Sequence, residues 1–325
     1  MNGPEGTVRS AATFWDQEVA DPTHHNWMAD PAVRDYVNRA IGGDDRPSWP
    51  MNWLQREYPG RRQRGLSIGC GNGKLERDII SLGICEEVDA FDASPGSLKI
   101  AQDAATAEGM ADRIHYRQDD FNRVVLPRNH YDIVFFNQSL HHVSRMERLL
   151  RQVSHALKPG GLLYLDEYIG PSRTYWNAKT LAWYRALYQL IPRALRYEDE
   201  MPLPIQWDDL SEAERSGEIL SRLKAGFRMR DFRGYGGNVL ALFFPAMRPG
   251  IPPSVVASLL DAEKSLLAAG AQSFYAVMIL EPKRGVAGAV ANLRYLIEPK
   301  MRRVALEAGK RRGRVYAAEE DRFRL

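Results

Sequence analysis

The spacing of apolar positions switches repeatedly between two periods along the middle of this chain, which is how strands and helices alternate in a sequence. Short apolar runs predict strands at Arg64–Ile68, Glu87–Phe91, Ile114–Gln118, Tyr131–Asn137 and Leu162–Leu165. The fourth contains Ile133-Val134-Phe135-Phe136 without a polar interruption, as expected for a strand buried on both faces. Helical spacing fills the gaps. Lys74–Leu82 is closed by Gly83. Ser97–Glu108 has Ser94 as N-cap, Pro95 in its first turn and Gly109 as its stop. After Val143, the residues Met146, Leu149, Leu150, Val153 and Leu157 make one apolar face, and Ser144 with Glu147 has the spacing of a capping box. Strand–helix alternation of this kind predicts an α/β fold with a mostly parallel, doubly wound sheet.

The flanks read differently. Residues 1–60 carry Trp15, Trp27, Trp49 and Trp53 between helical stretches at Thr7–Val19, Ala32–Ile41 and Pro50–Tyr58, which suggests a helical lid. Residues 61–170 form the core. Residues 171–282 begin with a long aromatic-rich helix at Ser172–Leu190 and continue with a helix at Ser211–Ala225, where Ser211 and Glu214 suggest a second capping box. Strands at Phe227–Tyr235 and Phe274–Leu280 bring the sheet to seven. Residues 283–325 form a tail whose helical stretch is expected to break at Pro299.

The polar residues gather where the strands end. The first strand runs into Gly69-Cys70-Gly71-Asn72-Gly73, and the later ones end at Asp92, Asp119-Asp120, Asn137 and Asp166-Glu167. In parallel sheets ligands bind outside the carboxyl ends of the strands. A glycine turn followed by a helix suits a nucleotide-like ligand. Asp92, about 20 residues on, suits the paired hydroxyls of a ribose. A dinucleotide is disfavoured, because Lys74 stands where its fingerprint needs a third small residue.

Composition narrows the class further. Apolar content of 44% and charged content of 26% are those of an ordinary globular protein. No run is long and apolar enough for a membrane span, and the first ten residues lack the apolar stretch of a secretory signal. Two cysteines, Cys70 and Cys85, exclude a disulfide framework and fit a reducing cytoplasm. The net charge of +3 is uneven: residues 283–325 carry twelve Lys/Arg against five Asp/Glu, so the rest is mildly acidic. That argues against nucleic acid as a partner and leaves the basic tail free for weak contact with an anionic membrane surface.

Four motifs in order resemble the class I S-adenosylmethionine-dependent methyltransferases. Leu66-Ser67-Ile68-Gly69-Cys70-Gly71-Asn72-Gly73 resembles the family's first motif, Phe91-Asp92-Ala93-Ser94-Pro95 its ribose turn, Asp120-Phe121 its adenine turn, and Leu157-Lys158-Pro159-Gly160-Gly161 the turn before its fifth strand. The resemblance covers Arg64 to Gly170 and implies a Rossmann-like fold and S-adenosylmethionine as cofactor. It implies that Gly69, Cys70, Gly71 and Gly73 face the methionine part and ribose, that Asp92 and Ala93 hold the ribose, that Asp120 and Phe121 meet the adenine, and that Asn137 lines the methionine end. One departure stands out. The family usually has an acid two residues before the first glycine, near the methionine amino group, and this chain has Ser67.

Methyl transfer needs alignment and, for a hydroxyl acceptor, a base. The candidates follow the fourth and fifth strands: His142 first, then His141, then Glu167, because a neutral imidazole near its ordinary pKa suits an alcohol or phenol. Tyr168, Trp176, Trp183 and His25 are expected around a small-molecule substrate. No metal site is expected. The function that follows is O-methylation of a sugar, glycan intermediate or secondary metabolite. C- or N-methylation in an aromatic pocket is the alternative, and a non-catalytic binding module of the same fold is the contrasting class.

Overall fold

The computed structural model describes residues 26–172, 176, 178–202 and 211–311. The helix expected at Thr7–Val19 and the candidate His25 lie outside the described residues. Before the sheet come α1 (Pro31–Gly42) and α2 (Pro50–Glu57). Asp30 starts α1 by accepting from the Ala32 and Val33 amides, one step ahead of Pro31.

Seven strands then form one sheet: β1 (Arg62–Ile68), β2 (Cys85–Asp92), β3 (Ile114–Gln118), β4 (Tyr131–Asn137), β5 (Leu157–Tyr168), β6 (Phe227–Gly236) and β7 (Tyr275–Pro282). Their order is β3-β2-β1-β4-β5-β7-β6. The first five run parallel, and β7 enters antiparallel between β5 and β6. This is the seven-stranded, mostly parallel Rossmann-like sheet that the alternating pattern predicts. The chain order reverses direction between β1 and β4, so the crevice opens there, at the ends of β1 and β4.

Helices cover both faces. On one side lie α1, α2, α3 (Lys74–Ser81) and α4 (Pro95–Ala107), with Trp53, Ile79 and Phe135 in the core. On the other lie α5 (Met146–Ala156) and, after α6 (Ala178–Gln189), α7 (Ile219–Gly226), with Leu149, Val153 and Leu223 buried against Phe136 and Leu165. Ser94 caps α4 as expected, accepting from the Ser97 amide at 3.0 Å.

Three local expectations fail. The Ser144–Glu147 capping box does not form: α5 has no side-chain cap, Ser144 Oγ donates to Asn122 Oδ1, and Glu147 takes the Arg215 guanidinium in a two-pronged bond at 2.6 and 2.9 Å. A buried charged fork outcompetes a single neutral cap. The Ser211–Glu214 box gives way likewise, since helix begins only at Ser216–Glu218 and Ser211 Oγ bonds His142 instead. Finally, α8 (Leu240–Phe243) and α9 (Pro253–Ala268) lead to β7, and α10 (Gly285–Arg311) then runs through Pro299 without ending. The proline costs that helix one hydrogen bond and does not break it. The side chains of the Lys310–Arg314 run lie outside the described residues.

Candidate active site

The end of β1 sets the first half of the site. Gly69 and Cys70 donate their amides to the Phe91 carbonyl at 2.9 and 3.2 Å, which ties the glycine turn to the end of β2. Gly69, Gly71 and Gly73 have φ of 73°, 51° and 74°, in the left-handed region. The three differ in purpose. A Cβ on Gly69 would fall 2.6 Å from Ser139 Cβ, and one on Gly73 would run into Tyr116 and Ala101. A Cβ on Gly71 would meet no protein atom within 4 Å. Two of the glycines therefore serve packing, and Gly71 is the one that leaves room for a ligand against the backbone.

Asp92 locks this turn. One carboxylate oxygen accepts the Gly71 amide and the other the Ser94 amide, both at 2.9 Å. A carboxylate has about four acceptor positions, so a group of this kind can accept hydroxyls as well as amides. Here the turn encloses a cavity of about 290 Å³. Of the residues expected at the cofactor, Gly69, Cys70, Gly71, Asp92 and Ala93 line it at the near end, and Phe121 and Asn137 farther round. Gly73 and Asp120 are not in its wall. Asp120 is turned into its own loop, accepting the Asn122 amide at 2.7 Å. Burial holds the Cys70 thiol well above its ordinary pKa, so it is a packing group and not a nucleophile. The wall also contains Glu76, Gln138 and Ser139, which the sequence did not single out. Ser67 lies buried behind the turn.

The second half of the site follows β4. The segment Leu140–His142 forms one 3-10 turn and buries both histidines, with ring centroids 4.1 Å apart. Glu167, fully buried at the end of β5, holds this turn. It accepts the Ser139, Leu140 and Tyr168 amides at 3.0, 2.7 and 2.9 Å and pairs with His141 Nδ1. His141 Nε2 lies 3.6 Å from Glu212, so the ring sits between two carboxylates. Burial disfavours its charge, but Glu167 and Glu212 outweigh burial and raise His141 to about 10. It is an imidazolium at neutral pH. His142 lines the cavity, with Nδ1 3.0 Å from Ser211 Oγ and Nε2 3.6 Å from Glu212.

His141, His142 and Glu212 place three donor atoms within 4.8 Å of one another, the one such group among the described residues. Glu212 lies 3.6 Å from Nε2 of each imidazole, so the three side chains interact as an ion-pair cluster. Glu212 and Ser211 come from a segment some 70 residues later, and no local pattern in the sequence announces them.

Tyr168 partitions the site from a second space. It meets His141 edge-on at 6.1 Å on one side and Phe274 at 6.1 Å on the other. Beyond Phe274 is a cavity of about 600 Å³ lined by Thr180, Trp183, Tyr184 and Gln272 among others. Trp183 forms part of that wall and is 44% exposed, whereas Trp176 is buried behind it, edge-on to Phe274 and Tyr184. Trp27 stacks on Tyr235, whose hydroxyl donates to Asp166 at 2.5 Å.

A parallel crevice with a ligand-clearing glycine turn and a carboxylate at the end of β2 is the arrangement the resemblance to class I S-adenosylmethionine-dependent methyltransferases leads one to expect. Known proteins agree. Residues 66–165 match the family model described as a methyltransferase domain. The chain is 29% identical over 253 residues to the ubiquinone/menaquinone biosynthesis C-methyltransferase of Azotobacter vinelandii, covering 74% of this chain and 98% of that one. It is 31% identical over 158 residues to the ubiquinone biosynthesis O-methyltransferase of Methylobacterium nodulans, covering 48% and 58%. Residues 66–165 are thus a methyltransferase domain, and the protein is an S-adenosylmethionine-dependent methyltransferase acting on a small molecule.

Proposed function

We propose that this enzyme methylates a hydroxyl group of a small molecule, such as a sugar, a glycan intermediate or a secondary metabolite, with His142 as the base. The observation that carries the reading is the position of His142: of the three candidate bases, it is the one in the cavity wall. His141 is charged and Glu167 is consumed by three amides and an imidazolium, so neither is suited to accept a proton. The reading takes the tautomer in which Nδ1–H donates to Ser211 Oγ, 3.0 Å away, which leaves the basic lone pair on Nε2.

Bound S-adenosylmethionine supplies the electrophilic sulfonium methyl group. Asp92 and the Gly71 backbone would hold its nucleoside part, and Phe121 and Asn137 would border the two ends. Nε2 of His142 would take the hydroxyl proton as the oxygen bonds the methyl carbon and the S–C bond breaks, its electron pair staying on the sulfur of the departing S-adenosylhomocysteine, and Glu212 would steady the imidazolium. The acceptor scaffold reaches toward Tyr168 and the second cavity, with Trp183 at its edge. In this reading the segments before β1 and between β5 and β6 form the acceptor side. The aromatic lining from Tyr184 to Phe274 favours a second reading, C-methylation, which needs no base.

One comparison separates the two. His142→Ala should lower methyl transfer from labelled S-adenosylmethionine to a small-molecule extract by about 10²–10⁴-fold. Affinity for S-adenosylhomocysteine should stay within about twofold, because the base does not hold the nucleoside. Unchanged turnover would remove the base and favour carbon as the acceptor.

A further inference from the structure

Glu76 stands in the first turn of α3, is one of the residues that border the cavity, and has its side chain buried with no exposed surface. Neither of its carboxylate oxygens makes a hydrogen bond of normal geometry in the protein, although the Ser67 hydroxyl and the Glu76 amide face the carboxyl and favour its charged form. Buried carboxylates are normally paired. The other two fully buried glutamates obey that rule: Glu167 accepts three amides and Glu263 accepts those of Asn238, Val239 and Leu240.

The groups that face Glu76 are Ser67 on β1, Cys70 in the turn, Asp92 on β2 and Tyr116 on β3, with Arg77 beside it on its own helix. Arg77 is committed to Glu108 and to the Asn72 carbonyl, and Lys74, also in the wall, pairs with Asp78. Burial foremost lifts the Glu76 carboxyl to about 7, against hydrogen bonding from the Ser67 hydroxyl and its own amide and the charge of Arg77, with Asp92 adding a little to the rise. A carboxylate that the protein satisfies poorly therefore lies buried beside the cavity, where a small side-chain shift would bring it to a bound ligand.

Resting on the reading of this cavity as the cofactor site, the ligand can be asked what it brings. S-adenosylmethionine carries two cations. Its sulfonium has no N–H, whereas its α-ammonium has three donors and can satisfy both oxygens. We propose that Glu76 is the acceptor for the α-ammonium group of the cofactor, filling from α3 the place that Ser67 leaves without an acid on β1.

Glu76→Gln keeps the side-chain volume and removes the charge. Calorimetric titration should show affinity for S-adenosylhomocysteine falling about 10- to 100-fold. Affinity for 5′-methylthioadenosine, which lacks the amino-acid part, should stay within about twofold. At pH 6.5, titrations in buffers of different ionisation enthalpy should show net proton release for the wild type, as binding ionises Glu76, and none for the variant. Equal weakening of both ligands would make Glu76 a support for the turn and overturn the proposal. Unchanged affinity for S-adenosylhomocysteine would overturn it too. A wild-type protein that binds neither nucleoside would instead sink the cofactor reading, and this assignment with it.

Discussion

The two ends of the crevice bury a glutamate each, and they treat it in opposite ways. At the acceptor end Glu167 receives three backbone amides and an imidazolium, so its charge is spent on building the Leu140–His142 turn. At the cofactor end Glu76 makes no hydrogen bond of normal geometry. The first carboxylate is structural because it is satisfied. The second is unfavourable to the empty protein, and that cost is what a cationic ligand can relieve.

The sharpest way to break the comparison is at Glu167. Glu167→Ala strands three amides and leaves His141 charged beside Glu212 alone. Removing one partner of a buried pair costs about 3–5 kcal/mol, which urea unfolding at pH 7 should show as a lower midpoint. The pH dependence has a definite sign. His141 is raised from 6.5 to about 10, so the pair stabilises fully below 6.5 and its contribution fades as pH climbs through about 10. The deficit of the variant should therefore shrink between pH 7 and pH 10. A loss under about 1 kcal/mol would mean that the turn stands without Glu167.

Glu76 should behave in the reverse sense. Its folded carboxyl titrates near 7 against an ordinary 4.5, so ionisation penalises the fold. The penalty is absent below 4.5, grows from there, and is complete above about 7, where a shift of this size is worth on the order of 3 kcal/mol. Glu76→Gln should thus match the ligand-free wild type near pH 4.5 and exceed it at pH 8. Asp166, which burial also lifts to about 7, titrates in the same window, so the difference between the two proteins is the quantity to follow. A gap that does not change with pH would show that Glu76 has found a partner in solution.

The same contrast explains what the sequence could tell. The sheet, the glycine turn and Asp92 are written in short local patterns: apolar runs, alternate glycines, an acid at a strand end. Glu76 is also local, but an acid in the first turn of a helix reads as a complement to the helix dipole. Its meaning comes from depth, which no periodicity gives. Ser67 was the available hint, because a missing acid at one position asks where another might reach. Glu212 and Ser211 meet the histidines only through the fold, and the Ser–x–x–Glu spacing at both Ser144 and Ser211 pointed to caps that stronger tertiary partners displaced. Asp120 shows what a motif leaves out: the residue is in place, and one of its carboxylate oxygens also accepts the Asn122 amide of its own turn.

The smallest effect expected here tests whether Asp92 is a ligand group as well as a brace. It already holds the Gly71 and Ser94 amides, so Asp92→Ala loosens the turn and removes the ribose acceptor together. Loss of hydrogen bonds to a charged group should weaken S-adenosylhomocysteine by about 1.5–3 kcal/mol in a calorimetric titration. Asp92→Asn separates the roles, because its single side-chain oxygen can keep one amide but offers fewer acceptor positions to paired hydroxyls. If Asn restores thermal stability while affinity stays low, Asp92 binds the ribose directly. Full recovery of affinity by Asn would reduce it to a brace, and the nucleoside would then be held by the Gly71 backbone and by the charge at Glu76.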